Sequence, residues 1–389
     1  MSDKTYLRAC VMMALVFSMN TCENADADFT FGEPVNLGAL VNTSYRDGLA
    51  CTSADGLSLF LSSQRPEGYG GWDLWRAKRL TTDDPWEDPV NLGPTVNTSS
   101  WELGPSLSPD GLMLLFQSDR PNGCGSQDFW ATTRTSSTAP WESPVNLGTP
   151  VNSNGNEVGP SLSVDWTTLF FSSNRSGGYG GDDLYVAMRP TVADAWETVV
   201  NLGEAVNTSH TERARSLSAD GRMLFFHSDR PGGRGSYDIW VVTRSVPSDS
   251  WSTPANLGPL VNSSVEDVGP TISQDGRTLF FMPMRSGGYG QFDAWQVSVE
   301  PIVDFDADAK VDLVDLVMLI DNWDTDDALY DIGPMPWGDG VVNIEDLKVF
   351  ITHWEEENMP SSEGGDSTGR SGRASGPARL TTCGSTAAR

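Results

Sequence analysis

The chain has 389 residues, 53 acidic and 25 basic, for a formal charge of −28 at pH 7. Its apolar and charged fractions are those of a globular protein, and no basic stripe is present to track phosphates, which argues against nucleic acid and anionic membrane surfaces as partners. The acid is uneven: residues 28–300 hold 32 acids and 17 bases (−15), whereas residues 301–359 hold 16 and 2 (−14), a density that calls for a bound cation or disorder.

The N-terminus places Lys4 and Arg8 before an apolar run from Cys10 to Met19 and the small-residue triplet Ala25-Asp26-Ala27. This layout predicts a cleaved export signal over 1–27 and a mature chain from Asp28, secreted or held at the cell surface or in the periplasm. Ten apolar residues are too few to span a bilayer, so no membrane span is expected. Met19-Asn20-Thr21 is a poor match to the residues that precede a lipidated cysteine at Cys22. Cys51, Cys124 and Cys383 would remain, an odd number in unrelated contexts, so no disulfide framework is expected.

From residue 28 the chain repeats itself. Asn-Leu-Gly begins at Asn36, Asn91, Asn146, Asn201 and Asn256, each step being 55 residues. The same step joins Arg65, Arg120, Arg175, Arg230 and Arg285, and again Asp73, Asp128, Asp183, Asp238 and Asp293. Within the second copy, Gly104–Ser108 reads as a small-residue strand and Pro109-Asp110-Gly111 as a tight turn. Leu112–Ser118 is an apolar strand, Asp128–Thr133 a third, and Pro144–Leu147 a fourth. Four short strands per module in radial array predict an all-β protein: a five-bladed β-propeller over 28–300. Pro34–Gly38 is a fourth-type strand that precedes any first-type strand, and no fourth-type strand follows the third-type strand at Asp293–Val299. The N-terminal strand is therefore expected to complete the last blade and leave no open edge.

The pattern at Ser163–Leu184, SVDWTTLFFSSNRSGGYGGDDL, resembles the WD-like β-propeller repeats of the TolB type. The resemblance covers residues 31–299 and implies the fold. It leaves function open, since such propellers serve as binding platforms, peptidase gates and scaffolds.

The loops from fourth to first strands and from second to third strands are expected on one face. The first set carries Asp47, Glu102, Glu157, Glu212 and Asp267; the second carries Tyr69, Tyr179 and Tyr289, with Cys124 and Arg234 at the equivalent places. Carboxylates and exposed rings suit a sugar. The repeated acids nevertheless read as architecture, with Arg120 stapling Glu102 and Asp128. Positions that vary between blades are better ligand contacts: Arg46, Trp101, Asn156 and Glu266 just before the acid, and His210 one residue earlier. His210, His227 and His353 are too scattered for a familiar zinc site, and no Gly-x-Ser-x-Gly elbow is present, so no catalytic residue is assigned. The Asn-x-Ser triplets at Asn42, Asn97, Asn207 and Asn262 read as turn chemistry.

Residues 301–359 change character. Asp304, Asp306, Asp308, Asp312 and Asp315 occupy places 1, 3, 5, 9 and 12 of a loop, with the Lys310 carbonyl at place 7, a spacing of hard oxygen donors that fits Ca²⁺. A helical pattern follows at Leu316, Leu319, Ile320 and Trp323, and returns 31 residues later as Leu347, Phe350, Ile351 and Trp354. Asp339, Asn343 and Asp346 precede or open the second unit, where Met335 and Trp337 hold places 1 and 3 unless Asp331 reaches in from a longer loop. The paired loop–helix units resemble a type I dockerin, a small α-helical EF-hand-like domain, which implies a cohesin-like partner. Leu313-Val314 and Ile344-Glu345 depart from the small hydroxylic pair often presented to cohesins. Residues 360–389 are low-complexity and expected to be disordered. The leading expectation is an exported, non-catalytic propeller that binds glycan or protein and joins a larger assembly through this module. A five-bladed glycoside hydrolase and a structural cell-surface protein are the alternatives.

Overall fold

The computed structural model describes residues 29–306, 310–325, 329–333 and 341–358. The expected export signal at 1–27 and the tail at 360–389 lie outside the described residues, as do Asp308 and Asp339.

Each module folds into one antiparallel sheet, and five sheets surround an axis. The second blade runs outward through Glu102–Leu107, Met113–Ser118, Asp128–Thr133 and Val145–Asn146. The inner strands of the other blades are Asp47–Thr52, Glu157–Leu162, Glu212–Leu217 and Asp267–Ile272, and all five touch their neighbours in a closed ring. Second strands such as Met113–Ser118 and Met223–Ser228 are almost wholly buried because both faces pack against adjoining blades. Phe60 and Leu74 of one blade thus share a cluster with Leu107, Leu114, Phe116 and Trp130 of the next. The inner strand begins two residues before its expected start because the Glu102 amide donates to Trp72 O of the preceding blade at 2.8 Å. The tight turn is built as expected. Asp110 Oδ1 accepts the Leu112 amide at 2.9 Å, and Trp166 takes the left-handed φ of 62° that Gly111 supplies in the second blade.

The ring closes by strand exchange. Val35 and Asn36 pair with Gln296 and Trp295, and Phe29–Phe31 extends the same edge, with Phe29 opposite Pro301. This additional strand is absent from the sequence expectation. Phe29 and Phe31 hold it by burying their rings beside Val297 and Val299.

The 55-residue motif residues form two hydrogen-bonded knots per blade. In the first, the inner-strand acid is fully buried and accepts from its own turn and from the arginine 18 residues later. Glu102 accepts the Thr98 amide at 2.9 Å, Thr98 Oγ1 at 2.7 Å, Ser118 Oγ at 3.1 Å and Arg120 Nη2 at 3.0 Å. The pair recurs as Arg65–Asp47, Arg175–Glu157, Arg230–Glu212 and Arg285–Asp267, at 2.7 to 3.1 Å. The guanidinium of Arg120 also lies over the Phe116 and Trp130 rings and donates to Val96 O. The expected staple from Arg120 to Asp128 does not form. Asp128 belongs to the second knot, where it accepts the Cys124 and Gly125 amides and Asn146 Nδ2, so its charge is spent on its own loop and on the fourth strand. Asn97, Asn207 and Asn262 are buried and clamp the third strand through both amide and carbonyl, as Asn97 does to Leu74 at 2.8 and 2.9 Å. The expected turn residues thus also clamp the neighbouring strand, which the sequence expectation did not include.

The described part of the acidic region holds helices Leu313–Asp321 and Ile344–Asn358. Leu319, Val342 and Phe350 are buried with Val303, Phe305 and Tyr330, and Leu316, Leu347 and Trp354 pack at the edge of that core. Ile320, Trp323 and Ile351, expected on the same face, are instead exposed. The first helix ends at Asp321, so Trp323 leaves the helical register. No helix among the described residues is long and apolar enough to cross a membrane.

Replacing Arg120 by Ala leaves Glu102 buried with one donor fewer and is expected to cost about 3–5 kcal/mol of unfolding free energy, the penalty of half a buried ion pair. Urea denaturation of the two proteins measures it; an unchanged midpoint contradicts the knot.

Candidate functional site

The five inner strands enclose a cavity of ≈ 530 Å³ on the propeller axis, lined from every blade. Its side-chain ring comes from equivalent second-strand positions, among them Gln117, His227 and Met282, with Ser62 at the same place in the first blade. These residues reach across to the bulge in the next inner strand. The Gly104 amide donates to Ser62 Oγ at 3.0 Å, that of Gly159 to Gln117 Oε1 at 2.9 Å and that of Gly269 to His227 Nδ1 at 3.4 Å. Because His227 Nδ1 accepts, the ring is neutral, and burial beside Arg213 and Arg215 pushes its pKa well below the usual histidine value.

The fourth blade departs from the repeat here. Its inner strand reads ERARSL where the second and third read ELGPSL and EVGPSL. Arg213 and Arg215 therefore stand where other blades carry Gly48, Leu103, Val158 and Val268, or Ala50, Pro105, Pro160 and Pro270. Arg213 Nε donates to Asp182 Oδ2 at 2.6 Å across the cavity wall. Arg215 is 7% exposed, and its Nε and Nη2 have no hydrogen-bond partner among the described residues. Burial lowers its pKa to about 10, which leaves it charged at neutral pH.

Three carboxylates line the same cavity in unequal surroundings. Asp182 is paired with Arg213. Asp119 Oδ1 accepts the Trp101 amide at 2.7 Å. Glu266 is raised above the ordinary carboxylate range by burial, against the opposing pull of Arg213 and Arg46.

Of the sequence-selected contacts, Asn156 and Glu266 line the cavity. Backbone bridges Gln127–Asn156, Tyr237–Glu266 and Trp72–Trp101 set the loops of adjacent blades side by side on one face. Trp101 is 45% exposed beside that mouth, since its bridge partner Trp72 is a lining residue. Arg46 lies over the ring of Phe292, another lining residue, and donates to Gln291 Oε1 at 2.9 and 3.0 Å. His210, 3.8 Å from Asp229, is not a lining residue, nor are the half-exposed rings of Tyr69, Tyr179 and Tyr289. Sequence reasoning missed Arg213, Arg215, Asp182 and Asp119. Comparing the five copies along the inner strand would have found the arginines, because charge replaces an apolar or small residue in one blade alone.

In the acidic region, one carboxylate oxygen each from Asp304, Asp306 and Asp315 gathers within 4.8 Å of the others. Asp315 is buried and accepts the Phe305 amide at 2.7 Å and the Asp312 amide at 2.8 Å, folding the loop back on the helix start. Asp312 accepts the Val314 amide at 2.7 Å as the helix N-cap, and Lys310 precedes it in the loop. Asp346 repeats the fold-back, accepting from Gly333 at 2.7 Å and Asn343 at 2.6 Å. The segment after Asp331 thus approaches Asp346 as a longer loop would. Three carboxylates in one loop fit a hard divalent cation.

No protein-family model matches the chain, and no curated protein matches it. Among solved structures, a TolB described as putative from Agrobacterium tumefaciens is 18% identical, with a TM-score of 0.43 over 71% of this chain and 86% of that one. An α-L-arabinofuranosidase of Podospora anserina is 12% identical, TM-score 0.47, over 71% and 98%. A xylan β-1,4-xylosidase from Bacillus halodurans is 13% identical, TM-score 0.45, over 67% and 53%.

Burial pushes the Cys51 thiol up to about 12, whereas Cys124 is exposed in its loop. Iodoacetamide at pH 8 is therefore expected to label the Cys124 peptide and spare Cys51 in the folded chain. Peptide mapping by mass spectrometry tests this, and equal labelling contradicts the burial.

Proposed function

We propose that the chain is an exported glycan-binding propeller, non-catalytic, carried into a larger assembly by a calcium-binding dockerin-like module. The axial cavity carries this reading. Gln117, Gln127 and Asn156 offer amides, Asp119 and Glu266 offer acceptors, and Trp72 and Phe292 offer rings, the mixture that a hydroxyl-rich, partly apolar pyranose requires. Asp119 and Asp182 are already committed to protein donors, which favours binding over chemistry.

A specific observation favours a second reading, glycoside hydrolysis. Glu266, raised by burial, is suited to a general acid, and it shares a cavity with Asp119, which accepts a backbone amide, and Asp182, which pairs with Arg213. Release of reducing ends from a polysaccharide panel, lost in Glu266→Gln, would establish that reading in place of the first.

For the tether, supporting observations are the three gathered aspartates and an exposed apolar set. Leu313, Val314, Val317 and Ile320 are 50–65% exposed on the first helix, and Ile344 and Ile351 occupy the places of Leu313 and Ile320 on the second. Such a surface suits a cohesin-like protein partner.

Trp101→Ala is expected to weaken glycan binding about tenfold by removing a stacking ring, with stability changed by less than about 0.5 kcal/mol. Glycan-array titration with parallel melting curves measures both, and full binding by the variant removes Trp101 from the site. Calcium is expected to increase the helicity of the acidic region, because ion binding relieves repulsion among the loop carboxylates. Asp306→Ala should abolish most of that gain in calorimetric and circular dichroism titrations with Ca²⁺; a gain equal to the parent's rules out the loop.

A further inference from the structure

We infer that Arg215 makes the axial cavity selective for glycans that carry a uronic acid, the sugar carboxylate docking on the guanidinium. The inference rests on the glycan-binding reading and names its ligand class. Nε–H and Nη2–H form one edge of the planar guanidinium, two parallel donors matched to the two oxygens of a carboxylate. In Arg215 it is this edge that lacks a partner, in a side chain 7% exposed in the cavity wall. A buried cation with unmet donors is costly, and the fold retains it where four other blades carry Ala50, Pro105, Pro160 and Pro270.

Among the described residues no counter-ion serves it. The ionisable neighbour that acts on Arg215 is Cys51, whose thiol burial holds neutral at physiological pH. The other cavity arginine, Arg213, is occupied by Asp182 at 2.6 Å. Space for the side chain is built in: a Cβ at Gly104, on the second blade, would collide with Arg215 Nη1. Neither orphan donor is open to solvent in this conformation, so a bidentate pair requires the guanidinium to turn its free edge toward the cavity, where a sugar acid supplies the acceptors it lacks. Gln127 Nε2 and the Asn156 side chain remain for its hydroxyls, Gln117 being engaged by the Gly159 amide and by Gln127 Oε1.

The test is calorimetric titration of the full chain with trigalacturonate and a glucuronate-ended xylo-oligosaccharide, against the same compounds with carboxylates reduced to alcohols. The parent should bind at least one acid and bind its reduced form about 100-fold more weakly, the loss of a bidentate charge-assisted pair. Arg215→Met should lose the same factor while melting no lower than the parent, because it removes a buried unpaired charge. Arg215→Lys, which keeps the charge without the fork, should fall between. Equal binding of acid and reduced sugars, or an Arg215→Met variant that binds the acid as the parent does, overturns the carboxylate site and leaves glycan binding standing. Binding of neutral oligosaccharides alone does the same. Binding of no sugar by the parent overturns the glycan reading, and this inference with it.

Discussion

The propeller depends on a buried ion pair used five times. Each inner strand begins with a carboxylate that water does not reach, and each is met by an arginine from the end of the neighbouring strand. The arginine also caps a loop carbonyl and lies over aromatic rings, so one residue joins two strands, a turn and the hydrophobic layer. A buried charge without such partners is untenable, which explains why acid and arginine keep a strict separation of 18 residues through all copies. The acids that seemed suited to a sugar are thereby withdrawn from ligand chemistry.

With the frame so constrained, freedom remains where the repeat points inward. The second-strand positions facing the axis need only accept one bulge amide, and Ser62, Gln117 and His227 all do so. The fourth blade goes further and brings two arginines to the axis, one neutralised by Asp182 and one not. Specific chemistry thus enters through a departure from the repeat, while the blade still pairs, with Glu212 opposite Ser228 and Arg213 opposite His227.

The acidic region follows a related logic on a smaller scale. Asp315 and Asp346 are buried at equivalent places, each drawing a loop onto a helix start through backbone amides. Burial leaves Asp346 above the usual carboxylate range. Asp304 and Asp306 then come close to Asp315, a clustering of like charge that a cation would relieve.

The blade count, the strand order and the strand-exchange closure were legible in the sequence, because hydrophobic alternation and a turn at a fixed step leave no other way to bury the strands. The knots were half legible: residue types and spacing were visible, but the partner of Arg120 was Glu102 alone, since Asp128 is consumed by its own loop and the fourth strand. Asn156 and Glu266 were found as variable positions, and they do line the cavity. Tyr69, Tyr179 and Tyr289 were chosen on the same face yet do not line it, because residue type says nothing about distance from an axis. Arg213, Arg215, Asp182 and Asp119 come from three successive blades, and only the packing of those blades around the axis brings them to one cavity. Sequence periodicity determines the module. Which side chains share the axis, and which of them lack a partner, is decided by contacts between modules that no single repeat contains.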